Sequence, residues 1–348
     1  MTRALGLLFL IFTLAVVLSP NALAVQYTVA DVGTGLLGVE WVFGINNSGM
    51  VVGKAGDRGF VWSAASGFAY LDPLAGATSS DAYAINDSGQ IVGYSRSDSG
   101  NRACLWEAGK PVQDLGTLSS AGVSTAYGIN DAGQVVGGST RAFLWSATTG
   151  MVDVGPADYL LSTARDINED GAVVCDAGQS NSSEAAYVIT STGATYIDLP
   201  AIEGLPSVRV IGINDQGQVL CMRVNLFSMN NQPFVWQDGL VTPVGNAPGI
   251  TSDINNLGQV VGFTVRQQGF VWNEVDGVQM LPMPSGYDKT RAFAINDEGV
   301  IAGVSGGHLI VWTPVPEPSS LLTLCAALGG VGALLRRRKR DPNGSGGE

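Results

Sequence analysis

One phrase recurs seven times along this chain and constrains its fold more than any other feature. The phrase is Ile-Asn-(Asn/Asp/Glu)-x-Gly-x-(Val/Ile), and its isoleucines stand at positions 45, 85, 129, 167, 213, 254 and 295. Consecutive copies are 38 to 46 residues apart, a period that suits the four-stranded blade of a propeller and exceeds a leucine-rich repeat of about 20–29 residues. The sequence therefore predicts an all-β, seven-bladed β-propeller over residues 25–314, with about 42 residues and four strands per blade.

The third copy shows how each blade begins. Ala126–Asn130 reads as a strand, and Gln134–Gly137 returns beside it with alternating apolar residues. Between them, Asn130 opens a type I turn through its side chain, and Gly133 takes the left-handed position that closes the hairpin. Much of the chain's large glycine content, 47 of 348 residues, is thus assigned to repeated turns.

Tryptophan also follows the repeat, because six of the seven occupy one position, as in Phe143-Leu144-Trp145. Large rings at one position of every blade are typical of packing between neighbouring sheets, so we predict core positions and not a sugar-stacking platform. The last repeat stops after Trp312 without a fourth strand, whereas Tyr27–Gly33 carries the missing strand's pattern. We therefore predict that the N-terminal strand closes the seventh blade as its outer strand, which removes an open edge.

Both ends of the chain look like targeting segments. Residues 1–24 have a positive start, an apolar run and Ala22-Leu23-Ala24 as a small-x-small site, which predicts a signal peptide cleaved after Ala24. At the other end, Pro316-Glu317-Pro318 precedes an apolar segment, 321–335, and a basic cluster that includes Arg336, Arg337 and Arg338. We expect the apolar segment to form a membrane-spanning helix whose basic end stays in the cytoplasm, because positive flanks resist translocation. At fifteen residues, or about 22 Å, the span is short and suits transient retention.

This C-terminal arrangement over 315–340 resembles the PEP-CTERM sorting signal. The resemblance implies cleavage near the motif by exosortase, a membrane transpeptidase, followed by display on the surface or in the exopolysaccharide matrix of a Gram-negative bacterium. The short polar tail 341–348 departs from the family pattern, which leaves an ordinary single-pass anchor as the alternative.

The repeats over 27–313 resemble extracellular HAF repeats, which are named for a His-Ala-Phe triplet. Here the triplet becomes Arg141-Ala142-Phe143 in the third copy, beside the phrase Ile129–Gly137. This resemblance implies architecture and an exported context, and it implies no chemistry.

Composition excludes some classes of partner and reaction. The net charge of −12 argues against a nucleic-acid ligand. The single histidine, His308, and the absence of a Gly-x-Ser-x-Gly motif leave no catalytic triad. Cys175 and Cys221 replace equivalent glycines in adjacent repeats. Because an exported protein can form disulfides, a bond between these two cysteines is one of two alternatives, the other being two free thiols.

One turn has part of a calcium-loop pattern. Asp166, Asn168 and Asp170 precede Gly171 at alternating positions, but the twelfth position is Ala177 and not a bidentate glutamate. The other repeats keep the asparagine and glycine without the full ligand set, which favours a structural turn. We therefore expect no cofactor, with calcium at this turn as a weak alternative.

These features favour an exported, non-enzymatic surface or matrix protein that binds a glycan or protein ligand. The alternative is a polysaccharide-active glycoside hydrolase or lyase on the same ring. A clustered, non-repeating set of acids and aromatic residues at one mouth of the ring would favour the enzyme. A mouth that follows the repeat would favour binding.

Overall fold

The computed structural model describes residues 25–315, except 36–37, 120–121, 180–184, 204, 206, 225–230 and 246–248. The predicted signal peptide, the apolar segment 321–335 and the tail 341–348 lie outside the described residues. The described part is entirely β-structure, and none of it is a helix that could cross a membrane.

Twenty-eight strands form seven four-stranded antiparallel sheets, so the predicted seven-bladed propeller is confirmed. The chain starts with β1 (Tyr27–Gly33) and then builds blades 1 to 3 from β2 (Trp41–Ile45), β3 (Val51–Ala55), β4 (Arg58–Ser63), β5 (Gly67–Leu71), β6 (Ser79–Ile85), β7 (Ile91–Ser97), β8 (Gly100–Trp106), β9 (Gln113–Asp114), β10 (Thr125–Ile129), β11 (Val135–Ser139), β12 (Arg141–Ser146) and β13 (Gly150–Asp153). Blades 4 to 6 follow as β14 (Leu161–Ile167), β15 (Val173–Gly178), β16 (Ala185–Thr190), β17 (Gly193–Tyr196), β18 (Ser207–Ile213), β19 (Val219–Val224), β20 (Gln232–Gln237), β21 (Leu240–Pro243), β22 (Gly249–Ile254), β23 (Val260–Thr264), β24 (Gly269–Asn273) and β25 (Gly277–Met280). Blade 7 has β26 (Arg291–Ile295), β27 (Ile301–Ser305) and β28 (His308–Pro314).

The N-terminal strand supplies the fourth strand of blade 7. β1 pairs antiparallel with β28, in register from Tyr27 opposite Pro314 to Ala30 opposite Val311, and it is the outer strand of that sheet. The predicted closure of the ring is therefore confirmed.

The first strand of each blade surrounds a central channel. β2, β6, β10, β14, β18, β22 and β26 contact one another in sequence, and β2 contacts β26. Each of these inner strands contains a β-bulge and ends in an Ile-Asn turn. We call the end of the channel that carries these turns the turn face, and the opposite end, where the inner strands begin, the mouth face.

The core lies between neighbouring blades, as the aromatic repeat predicts. In one cluster, Val92 and Leu105 of blade 2 pack with Phe143 and Trp145 of blade 3. The equivalent tryptophans at 106, 236, 272 and 312 are buried as well, and the sixth, Trp62, is half-buried and packs against the core, so the core assignment of this position is confirmed.

Glycine and cysteine occupy the positions that the repeat assigns to them. Gly133 has a φ of 73°, and the equivalent glycines of the other turns also have positive φ, which confirms the predicted turn. Cys175 and Cys221 are both free and buried, so the disulfide is absent.

Candidate functional site

The asparagines of the seven turns form a closed ring of hydrogen bonds on the turn face. Each Asn side chain donates from Nδ2 to the backbone carbonyl of the next Asn around the ring, at 2.9–3.2 Å. This asparagine ring consists of Asn46, Asn86, Asn130, Asn168, Asn214, Asn255 and Asn296, all of which are buried. Each Oδ1 also accepts from the backbone N–H four residues later at 2.8–3.0 Å, so one side chain both shapes its own turn and binds the next blade.

The next residue of each turn forms a second ring, which we call the acid ring. Its members are Asn47, Asp87, Asp131, Glu169, Asp215, Asn256 and Asp297. The backbone N–H of each donates to a side-chain oxygen of the next member at 2.8–2.9 Å. Five carboxylates therefore surround a cavity of about 200 Å³ at this end of the channel. The acid ring follows the repeat, and a structural role in ring closure explains each member.

Two further carboxylates line the channel between the rings and the mouth face. Asp166 accepts from the backbone N–H groups of Ile167 and Ile213, and Asp253 accepts from those of Ile254 and Ile295, at 2.8–3.0 Å. Each thus joins its own blade to the next one. Burial in the channel raises the pKa of Asp166 to about 6 and that of Asp253 to about 7 against the opposing effect of these hydrogen bonds.

The side-chain oxygens of the predicted calcium ligands Asp166 and Asn168 already accept hydrogen bonds within the protein. Both carboxylate oxygens of Asp166 accept backbone hydrogen bonds, and Asn168 uses Oδ1 for Ala172 and Nδ2 for Asn214. Asp170 is exposed in the turn. Within the described residues, no group of three or more His, Cys, Asp or Glu side chains is arranged to hold a metal ion. Calcium at this turn stays a prediction.

The mouth face follows the repeat less strictly than the turn face does. The position two residues before the repeated isoleucines is aromatic in four blades, as Phe43, Tyr83, Tyr127 and Phe293, and is not aromatic in the other three. A continuous arc of aromatic rings runs around it, with Phe293 against Trp41 at 5.5 Å, Trp41 against Phe43 at 6.4 Å, Phe43 against Tyr83 at 4.6 Å and Tyr83 against Tyr127 at 5.2 Å between ring centroids. Trp41 is the seventh tryptophan, outside the repeated position, and its side chain is exposed. These rings come from the inner strands of blades 7, 1, 2 and 3.

Cationic side chains lie among these rings. The guanidinium of Arg291 lies 5.2 Å from the ring of Trp41 and 5.4 Å from that of Phe293, and Arg165 lies 5.3 Å from the ring of Tyr127. Burial lowers the pKa of Arg291. No carboxylate of the described residues forms an ion pair with Arg291, and its guanidinium is attracted instead to the faces of the neighbouring aromatic rings.

Two acids also belong to this region, and each has a cationic partner. Asp81 is buried; its Oδ1 lies 3.3 Å from Nζ of Lys54, and its Oδ2 accepts from Tyr94 at 2.9 Å. Burial, followed by the hydrogen bond to Asp81, raises the pKa of Tyr94 to about 12. On the other side, Asp176 accepts from Arg165 at 2.7 Å and from the N–H of Val210 at 2.8 Å.

We call this region the arginine mouth. It comprises Trp41, Phe43, Lys54, Asp81, Tyr83, Tyr94, Tyr127, Arg165, Asp176, Arg209, Arg291 and Phe293. Its four cations outnumber its two carboxylates, although residues 25–315 together carry 12 basic and 27 acidic side chains. A third of the basic residues of an acidic body therefore lies at one mouth, where Lys54 and Arg165 pair with carboxylates and Arg209 and Arg291 form none of the ion pairs found among the described residues.

Sequence reasoning did not predict this site. The seven residues that stand four positions before the repeated isoleucines are Trp41, Asp81, Thr125, Thr163, Arg209, Ile250 and Arg291. This variation is one part of the signal that would have found the mouth. The other part stands two positions before the isoleucines, where the other aromatic residues of the arc and Arg165 lie. The single histidine lies elsewhere, at the outer edge of blade 7, where its Nδ1 is 2.9 Å from Asp31.

Comparison with known proteins identifies the C-terminal signal and the fold. Residues 314–339 match the PEP-CTERM protein-sorting motif. This motif marks an exported chain that is recognised for sorting by exosortase, a membrane protein. The comparison does not show HAF-type repeats, and no curated protein matches the chain.

Solved structures with the same fold are only distantly similar in sequence. A streptogramin B lyase is 11% identical, with a TM-score of 0.58 over 83% of this chain and 98% of the lyase. A catalytically inactive virginiamycin B lyase from Staphylococcus aureus with quinupristin is 12% identical, with a TM-score of 0.60 over 83% of this chain and 100% of the lyase. A chain of the mitotic checkpoint complex is 11% identical, with a TM-score of 0.54 over 83% and 91% of the two chains. Likeness at these identities shows the propeller fold alone.

Proposed function

We propose that this exported propeller is a non-enzymatic surface or exopolysaccharide-matrix protein that binds an acidic polysaccharide at the arginine mouth. The observation that carries the proposal is Arg291, a guanidinium held over the rings of Trp41 and Phe293 with no carboxylate partner among the described residues. A guanidinium forms paired hydrogen bonds with a carboxylate, and an exposed indole face packs against the apolar face of a sugar. The arrangement suits a chain of sugars that carry carboxylates.

Binding measurements with matched polymers test this function. We expect a uronate polymer to bind and neutral dextran not to bind in isothermal titration calorimetry, with affinity that falls as salt rises. Arg291→Ala and Trp41→Ala should each weaken binding about tenfold or more, whereas Lys110→Ala, a basic residue on the turn face, should leave it unchanged. Equal binding of both polymers, or normal binding by Arg291→Ala, would reject the proposal.

A second candidate is a lyase or glycoside hydrolase that acts on the same class of polysaccharide. It is favoured by the non-repeating character of the mouth and by the buried contact of Lys54, Asp81 and Tyr94. A non-repeating cluster of acids and aromatic residues is the arrangement that the sequence analysis associates with an enzyme, whereas the aromatic rings that share one repeat position meet its criterion for binding. Incubation with the uronate polymer, followed by assays for reducing ends and for unsaturated uronate, separates the two functions. Product formation that is lost in Tyr94→Phe while binding persists would replace the non-enzymatic function.

A further inference from the structure

Both ends of the propeller leave the ring on the turn face. β28 ends at Pro314, and the N–H of Val315 donates to the carbonyl of Gln26 at 2.7 Å. A Cβ at Gly299, in the Ile-Asn turn of blade 7, would lie 3.5 Å from Cγ of Pro314. The described chain therefore ends beside the turn that contributes Asn296 and Asp297 to the two rings, and the Pro-Glu-Pro triplet of the sorting motif begins at the next residue of the sequence.

Very little chain separates this exit from the apolar segment 321–335. From Val315 to Leu321 there are six residue steps of at most about 3.6 Å each, a reach of roughly 22 Å. The inner strands have five to seven residues, so the two faces stand roughly 17–23 Å apart. If the mouth face pointed toward the membrane, the linker would have to run from the turn face past the whole ring. That path would use its entire reach, and the apolar segment could not enter the bilayer.

We infer that, while the sorting segment is in the membrane, the propeller stands with its turn face toward the bilayer and its arginine mouth away from it. The acid ring then faces the membrane in which exosortase acts, and the mouth is open to the outside before the chain is released. This orientation rests on the exit point and the linker length, and it does not depend on which ligand the mouth binds.

Energy transfer to a labelled bilayer tests this orientation with two positions on one blade. Val275 lies in the turn between β24 and β25 on the turn face, and Val265 lies between β23 and β24 on the mouth face; they are 88% and 56% exposed. We would prepare Val275→Cys and Val265→Cys in the chain from residue 25 to 348 with Cys325→Ala, because the other three cysteines are buried. Each labelled protein is reconstituted into phosphatidylethanolamine–phosphatidylglycerol vesicles that carry an acceptor dye on their headgroups.

We expect the donor at position 275 to transfer energy at least twice as efficiently as the donor at 265, with equal melting temperatures for the two variants. Equal transfer would mean that the propeller lies on its edge, and greater transfer from 265 would mean that the mouth faces the membrane. Either result overturns the inference, as does a protein that fails to float with the vesicles. A failure of polysaccharide binding would leave this measurement unaffected.

Discussion

At the scale of single residues, the repeated asparagine does more than open a turn. The sequence explains Asn86 by its hairpin, whereas the structure adds the hydrogen bond from its Nδ2 to the carbonyl of Asn130 in the next blade. Its partner lies 44 residues away, so no local pattern reveals this second role. The invariance of asparagine where aspartate would also open the turn is explained by the need for a donor, which a carboxylate lacks.

Replacing one asparagine of the ring should lower the free energy of unfolding by more than the loss of the hydrogen bond within its own turn. In Asn86→Ala the buried carbonyl of Asn130 and the N–H of Gln90 both lose their side-chain partner. We expect the free energy of unfolding to fall by about 2–4 kcal/mol in urea denaturation. Ser88→Ala, an exposed position in the same turn, should change it by less than about 0.5 kcal/mol. Equal stability of the two variants would contradict an inter-blade role.

The channel carboxylates predict a pH dependence of stability. Burial raises the pKa of Asp253 to about 7, above the value of about 3.9 in an unfolded chain, so its ionisation opposes folding. Its contribution to stability is present at low pH and is lost as the pH rises through about 7. The melting temperature should therefore rise as the pH is lowered from 8 to 5. In Asp253→Asn the melting temperature should depend less on pH over this range. Asp170→Asn, in an exposed turn, should keep the original slope; an unchanged slope in Asp253→Asn would contradict the assignment.

At the scale of strands, β1 is the element on which closure of the outer ring depends. Tyr27 and Val29 pack on the core between blades 6 and 7, and Asp31 accepts hydrogen bonds from Tyr287 and contacts His308. Partial burial raises the pKa of Asp31, but the hydrogen bonds from His308, Tyr287 and Gly33 outweigh this effect and lower the pKa overall. This carboxylate therefore stabilises the closed blade above the unfolded pKa and loses that effect as acid protonates it.

Removing this strand should open the seventh blade. Deletion of residues 25–33 exposes the hydrogen-bonding edge of β28, and we expect the melting temperature to fall by about 10 °C or more, with concentration-dependent aggregation. A synthetic peptide of residues 25–33 in excess should restore the melting temperature by refilling the edge. If the shortened chain melts like the full one, β1 does not close the ring.

Periodicity explains why the strands could be predicted and the mouth could not. The apolar patterns of strands such as β11 and β12 recur in every blade, so seven copies of the pattern support the same strand assignment. Trp41 and Arg291 instead meet because ring closure brings together residues 250 positions apart. Their contacts depend on differences between copies, which averaging over the repeat removes.

At the scale of the whole molecule, charge is distributed along the channel axis. The turn face carries five carboxylates in the acid ring, whereas the arginine mouth carries four cations against two carboxylates, Asp81 and Asp176. Under the proposed function, the acid ring repels an anionic polymer at one end of the ring, which restricts binding to the mouth. The overall net charge of −12 argues against nucleic acid as a partner, but it does not describe how the charges are distributed between the two faces.

The acid ring should store electrostatic repulsion that a natural amide would relieve. Asp131 lies between Asp87 and Glu169, and it accepts from the N–H of Asp87 at 2.8 Å. Asn47 and Asn256 accept the equivalent bond in their own positions, from the N–H groups of Asp297 and Asp215. Burial, together with the nearby Asp131, Asp215 and Asp87, raises the pKa of Glu169.

The substitution Asp131→Asn keeps an acceptor oxygen and removes one negative charge from the ring. We therefore expect the free energy of unfolding to rise by about 0.5–1 kcal/mol at low salt, with a smaller gain at 1 M salt. Asp131→Ala, which removes the acceptor as well, should be less stable than Asp131→Asn at both salt concentrations. A stabilisation by Asp131→Asn that does not depend on salt, or its absence at low salt, would show that the ring carboxylates do not repel one another measurably.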